Sequence, residues 1–304
     1  MAFQRHAQHF GGYVMQRPHI GYISGVPLDQ NTCHTWDDIW KFQAHPEDVL
    51  MVAYPKAGIT WMQEIVDMIC QEGNAERCRR APTYDRHPFL EAVAPKPVPS
   101  GLQLAENMEP PRILKTHLPI QLLPPSFWEQ DCKVIYVARN AKDSMVSYYH
   151  FQRMNRGLPD PGDWGSYFST FLAGDVTWGS WFDHVLGWWE AKDQHQVLYI
   201  FYEDMMENTR REIEKVRRFL GKGLSEEVLE DVYHHTTFQA MRENPMANYS
   251  SIPSFVMDHS VSPFMRKGVV GDWRNHFTVA QDEIFEKEYW RRMEGTDLTF
   301  RTQL

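Results

Sequence analysis

Four short apolar runs, spread over the chain and separated by stretches of helical period, constrain its fold more than any other feature. They are Val49, Leu50, Met51, Val52 and Ala53; then Ile113 and Leu114 ahead of Lys115, Thr116 and His117; then residues 133–139, ending at Arg139; then residues 197–202, ending at Tyr202. None alternates apolar with polar residues, so each strand is expected to be covered on both faces, as in a parallel sheet. Between the runs the period changes to that of a helix. Residues 212–220 turn Ile213, Val216, Phe219 and Leu220 to one side and stop at Gly221, and Ser225 with Glu226 and Glu227 opens the next helix. This alternation predicts an α/β fold, a single domain with a central parallel sheet flanked by helices on both sides. The 304 residues show no internal repeat and no linker. One domain is therefore expected over 21–304, behind an N-terminal arm, residues 1–20, that is free to be flexible.

The first run ends in a turn with a chemical bias. After Tyr54 and Pro55 come Lys56, Ala57, Gly58, Ile59, Thr60 and Trp61, then a helix whose Met62, Ile65, Val66 and Ile69 share a face. This is a P-loop-like strand, turn and helix N-terminus: backbone N–H groups and the positive end of the helix dipole attract an anion, and a lysine adds charge beside it. The same residues would equally make a plain connection with a surface lysine. The Gly-Lys-Ser/Thr ending of nucleoside triphosphatase loops is absent.

Composition limits the partners. A formal net charge of −9 argues against nucleic acid. Any anionic ligand must then be held by a local cluster of cations. No apolar run is long enough to span a bilayer and residues 1–9 have no signal-peptide core, so the expectation is a cytoplasmic protein without a membrane partner. Cys33, Cys70, Cys78 and Cys132 show no paired spacing. They read as reduced thiols, implying neither a disulfide nor a zinc site.

In an open parallel sheet the ligand crevice lies beyond the carboxyl ends of the strands, where Lys56, Lys115, His117 and Arg139 all fall. Lys115 and His117 are two apart and share a face while the strand stays extended. Arg139 leads into Asn140, a plausible N-cap, and a helix that carries Ser147 two turns in. Alone, Arg139 reads as a surface ion pair, Ser147 as a solvent-facing helix residue, and Trp61, Tyr202 and Phe238 as core aromatics. Residues 96–108 and 244–271 have no clear period, and loops of that length inside a domain are usually functional, often as lids.

These residues carry a resemblance. Residues 54–61 are similar to the donor loop of cytosolic sulfotransferases, Lys115-Thr116-His117 resembles their catalytic strand, and residues 266–273, Arg-Lys-Gly-Val-Val-Gly-Asp-Trp, resemble their C-terminal phosphate loop. The order and spacing of the three motifs agree, and within the family the chain looks most like the phenol-type enzymes, subfamily C. The resemblance implies transfer of a sulfonyl group from 3′-phosphoadenosine 5′-phosphosulfate, which leaves as adenosine 3′,5′-bisphosphate, to a hydroxyl or amine of a small, phenolic acceptor, without a metal. It implies that Lys56, Ala57, Gly58, Ile59, Thr60 and Trp61 grip the 5′-phosphosulfate, and that Arg139, Ser147, Arg266, Lys267 and Gly268 hold the 3′-phosphate. Trp61, Tyr202, Thr236 and Phe238 would surround the adenine, with Met241, Phe264 and Met265 completing the donor site. His117 would be the base, helped by Lys56, Lys115 and Ser147. Phe89, Phe151, Tyr249 and Phe255 join Lys115, Thr116 and His117 as candidates for the acceptor pocket, with core packing the plainer reading of each aromatic.

Two departures stand out. Ala57 and Ile59 replace the Ser and Thr usual in the donor loop, and the family's dimer motif appears with Arg274 at its head and Glu283 at its end. Arg keeps the charge of the usual Lys, so a homodimer through this segment is expected. A donor-binding protein of poor turnover stays open because of Ile59. A nucleotide kinase is disfavoured, since no lysine-hydroxyl pair follows the loop glycine and no clear magnesium carboxylate ends a strand.

Overall fold

A computed structural model gives residues 2–304; the first residue of the expected arm lies outside the described residues. Ahead of the sheet the chain makes an antiparallel hairpin, β1 (Ile20–Ile23) and β2 (Val26–Asp29), in which Ile23 faces Val26. Its two linking residues, Ser24 and Gly25, both have positive φ, the requirement of the tightest hairpin turns. Strands this short, one of them containing Pro27, leave too little period to read.

The four apolar runs form one parallel sheet. They are β3 (Val49–Ala53), β4 (Ile113–Thr116), β5 (Lys133–Ala138) and β6 (Val197–Phe201), in the order β4-β3-β5-β6. Val52 lies beside Thr116, and Ala53 beside Val137. The carboxyl ends of three strands are thereby brought level.

The unbroken hydrophobicity of the strands follows from two cores, one on each face. Leu50, Val52, Val134 and Tyr136 belong to the larger, while Met51, Ala53, Ile135 and Val137 belong to the other. Strand residues two apart point the same way, so a strand buried on both faces has no polar side to show. Helix α1 (Ile59–Cys70) lies on the second face and puts Met62, Ile65, Val66 and Ile69 into that core.

The proline-rich segment expected to be irregular contains a helix, α2 (Gly101–Glu106), so that reading is corrected. Its start is fixed by a capping box in which Ser100 and Gln103 exchange side-chain and backbone hydrogen bonds. The order around the sheet continues with α3 (Ala141–Met154), capped by Asn140, whose side chain accepts from the Asp143 N–H. Helix α4 (Trp181–Ala191) covers the larger core. Helices α5 (Thr209–Leu220) and α6 (Glu226–His235), the latter capped by Ser225, cover the smaller one together with α1. Residues 244–271 contain no helix or strand, as expected, and α7 (Val279–Arg292) closes the fold.

Among the described residues no helix is long and apolar enough to cross a membrane. All four cysteines are free thiols.

Candidate active site

The turn after β3 is held in an uncommon shape. Lys56 sits in the left-handed region at φ 67°, a conformation that costs a non-glycine residue energy and persists only where its surroundings enforce it. Gly58 follows at φ 101°, and a Cβ there would lie 2.7 Å from the Tyr202 ring, so side-chain space and backbone both require glycine. Helix α1 starts at the next residue, and its first turn, Ile59, Thr60 and Trp61, whose N–H groups have no intrahelical acceptor, lines a cavity of about 320 Å³ at the strand ends.

Arg139 ties two loops together at this end. Its guanidinium donates to the carbonyl oxygens of Lys56 and Val269, both at 3.1 Å, and lies over the Tyr202 ring at 4.3 Å. Gly268, at φ 64°, lets the second loop pass close to Phe238, whose ring lies 2.3 Å from where a Cβ would stand. Arg266 and Lys267 converge on Asp272 at 2.6 and 2.5 Å. Burial alone would raise the Asp272 carboxyl, but Lys267, Asn275 and Arg266 hold it well below the usual carboxylate range. Asp143, in the first turn of α3, accepts from the Gly271 and Trp273 N–H groups at 2.8 and 3.1 Å. Three buried donors facing this region have no acceptor: Trp61 Nε1, Arg139 Nε and Arg266 Nε. Buried N–H groups are rarely left so, and these three fit an anionic ligand with a planar ring.

The ends of β3 and β4 supply the reactive groups. His117 Nδ1 lies 2.6 Å from the Ala53 carbonyl oxygen. A carbonyl can only accept, so Nδ1 carries the hydrogen and Nε2 keeps its lone pair. Burial first, then the neighbouring Lys115, hold His117 well below its ordinary value, so it is neutral at pH 7. Lys56 is lowered to about 7 by burial and by Lys115, Arg139 and Arg266. Lys115 is lowered to about 8 by burial, with Glu91 opposing. The Lys56 ammonium rests 4.0 Å from the Phe264 ring centre and 4.6 Å from that of Phe151, and Lys115 lies 4.5 Å from that of Phe89.

Behind these groups is Glu91, which sequence reasoning missed. One carboxylate oxygen accepts from the His117 N–H at 2.7 Å and the Trp178 indole at 3.0 Å; the other accepts from the Thr116 hydroxyl at 2.7 Å. Trp178 stands edge-on to His117, 5.1 Å between ring centres. Asp272, read only as part of the 266–273 motif, was given no role of its own, nor were Trp178 and two cavity-lining residues of the arm, Phe3 and Met15. Their only sequence signals were position in a motif for Asp272 and, for the rest, none.

Most of the residues singled out from sequence line one cavity: Lys56, Gly58, Ile59, Thr60, Trp61, Phe89, Lys115, His117, Arg139, Ser147, Phe151, Tyr202, Thr236, Phe238, Met241, Tyr249, Phe264, Met265, Arg266, Lys267 and Gly268. Three do not. Ala57 packs into the core beneath α1, because the turn points its methyl inward. Thr116 faces the opposite side of β4 from Lys115 and His117 and spends its hydroxyl on Glu91. Phe255 packs instead onto Phe10 and Tyr13, 5.0 and 5.4 Å between ring centres. Among the described residues no group of three or more His, Cys, Asp or Glu is arranged to hold a metal ion.

Comparison with known proteins places the chain in a family and a fold. The family model described as a sulfotransferase domain matches residues 46–297. The chain is 56% identical to Sulfotransferase 1C2 of Rattus norvegicus over 282 residues, 93% of this chain and 95% of that protein. Its fold superposes with TM-score 0.83 on retinol dehydratase solved with androsterone and the inactive cofactor PAP, at 25% identity, covering 92% of this chain and 90% of the other. A mouse sulfotransferase, SULT7A1, solved with PAP, gives 0.75 at 30% identity over 91% and 96%.

Proposed function

The chain belongs to the sulfotransferase family, and from that premise we propose that it moves the sulfonyl group of 3′-phosphoadenosine 5′-phosphosulfate to a phenolic hydroxyl, with His117 as general base. The observation that carries this reading is a neutral His117 with Nε2 free, beside the buried Lys115 and the half-buried Lys56 at the turn after β3.

When bound, the donor supplies an activated sulfonyl group whose leaving group is a phosphate. Arg139, Arg266 and Lys267 are the cations available to its 3′-phosphate, and the orphaned N–H groups of Trp61, Arg139 and Arg266 are the donors that such a ligand would satisfy. The start of α1 and Lys56 are the corresponding group for the 5′ end. Tyr202 and Phe238, each packed against a loop glycine, offer aromatic faces to an adenine.

His117 Nε2 can take the acceptor's hydroxyl proton as its oxygen attacks sulfur in line with the departing phosphate. Lys115 and Lys56 can neutralise the charge that develops around the sulfur, and such charges act most strongly where the bound substrates displace water. Ser147, on α3, is near enough to the same end to orient Lys56 or the donor. Phe89, Phe151, Tyr249 and Phe264 make an apolar pocket suited to a flat phenol. A cytoplasmic, non-nucleic-acid-binding homodimer completes the proposal, supported by the net charge and by the segment from Arg274 to Glu283.

Replacing the base tests the reading. His117→Ala should lose turnover by about two to four orders of magnitude while adenosine 3′,5′-bisphosphate still binds in calorimetry. Turnover within a few-fold of the natural chain would overturn the assignment.

A further inference from the structure

The segment ahead of the hairpin is not a free tail. Phe3 and Phe10 are buried in a third apolar cluster with Val98, Met154, Val256 and Met257, and Phe151 and Phe264 pack against that cluster. Phe3 and Met15 line the same cavity as His117. Phe10 packs with Phe3, Tyr13 and Phe255, and Tyr13 also meets Phe255, so the arm is fastened to the irregular segment 244–271. At its far end Arg17 acts as a clasp. Its guanidinium donates to the carbonyl oxygens of Gln152, Asn155 and Leu158 at 2.8 to 3.0 Å and to that of Arg153 at 2.9 Å. Gln152 and Arg153 lie in the last turn of α3, whose carbonyls have no helical partners, Asn155 caps that turn and Leu158 follows it, and a cation there also suits the helix dipole.

We infer that the arm, residues 3–17, is part of the acceptor-binding site, forming one wall of its aromatic end and setting the length of acceptor that fits. The inference rests on the proposal that this cavity takes a phenol. Phe3 and Met15 add apolar surface where a flat acceptor would extend past Phe151 and Tyr249. Arg17 fixes them relative to α3, the helix that carries Ser147 and Phe151. A short phenol gains contacts from this wall, and a long one meets it.

The test compares the full chain with a variant lacking residues 2–15, and with Phe3→Ala, Met15→Ala and Arg17→Ala, on 4-nitrophenol and a rigid 4-phenylphenol. In the truncated chain the ratio of kcat/KM for the short phenol over the long one should fall about tenfold or more, since lost apolar contacts and relieved clashes act on the two in opposite senses. The point variants should move the ratio in the same direction by about threefold each. Affinity for adenosine 3′,5′-bisphosphate should stay within about twofold, a readout that general loosening of the fold would not spare. A ratio unchanged in every variant overturns the inference; should the truncated chain not fold, the point variants decide alone. Failure of the full chain to sulfonate any phenol would instead strike the functional reading beneath it.

Discussion

Burial and three neighbouring cations bring Lys56 down from its ordinary value to about 7. An anion in the crevice reverses both causes: it supplies opposite charge and offsets the repulsion from Lys115, Arg139 and Arg266. Binding therefore raises the lysine toward its ordinary value. A group whose pKa rises on binding takes up a proton at pH above its free value, and affinity falls as pH climbs through that range. At pH 8, adenosine 3′,5′-bisphosphate should bind with uptake of about one proton, Lys115 adding a share because it stands at about 8. Calorimetry in buffers of different ionisation enthalpy measures this, and Lys56→Met should remove most of it. Zero uptake at pH 8 would mean that the lysine is already charged. The sequence made Lys56 visible through its turn, yet nothing in it revealed φ 67° or the rings of Phe151 and Phe264 beneath the ammonium. Ile59 shows the same limit. Its missing hydroxyl is plain in the sequence, but only the fold shows that the side chain borders the cavity while packing into the core with Met62.

Helix α3 joins more of the site than any other element. Its first turn holds the backbone of the loop after Arg266 through Asp143, its middle carries Ser147 and Phe151, its last carbonyls take Arg17, and Lys142 reaches Asp282 and Glu286 on α7. Removing Asp143 would strand two N–H groups, Gly271 and Trp273, in a part of the protein where Asp272 is already occupied by Arg266 and Lys267. Each stranded group costs about 1 to 3 kcal/mol, so Asp143→Ala should lower stability by at least that and let the loop drift. Affinity for adenosine 3′,5′-bisphosphate should drop about tenfold, while adenosine 5′-phosphate, which lacks the 3′ group, should change by less than about twofold. Calorimetry with both ligands checks the split, and an equal loss for both would show that the whole donor site had moved. The helix and its Asn140 cap were legible, since period and capping residues are local. The partners of Asp143 lie 128 and 130 residues further on. No local pattern encodes such a pairing; the capping box of α2, Ser100 with Gln103 three residues on, is by contrast a local signal that the surrounding prolines obscured.

At the scale of the whole molecule, the four strands and their parallel order of burial were legible because both faces of each strand are covered. The hairpin and the packed arm were not, because short strands and scattered aromatics have no period. The same fold leaves one segment unspent. Around the start of α7, Arg274, Thr278, Val279 and Glu283 are all exposed, Val279 at 78%. An exposed valine between a cation and an anion is self-complementary about a two-fold axis: two copies can stack Val279 on Val279 and set each Arg274 against the other's Glu283. Ten residues bury far less than the roughly 1,600 Å² of a standard interface, so such a dimer should be weak and should loosen with salt as its ion pairs are screened. Sedimentation equilibrium should find a dimer at micromolar protein in low salt that dissociates on dilution or at high salt. Val279→Glu, which adds like charges on the axis at a position that contributes nothing to the core, should give a monomer with unchanged thermal stability. A mass that ignores both salt and Val279→Glu would place the contact elsewhere on the surface.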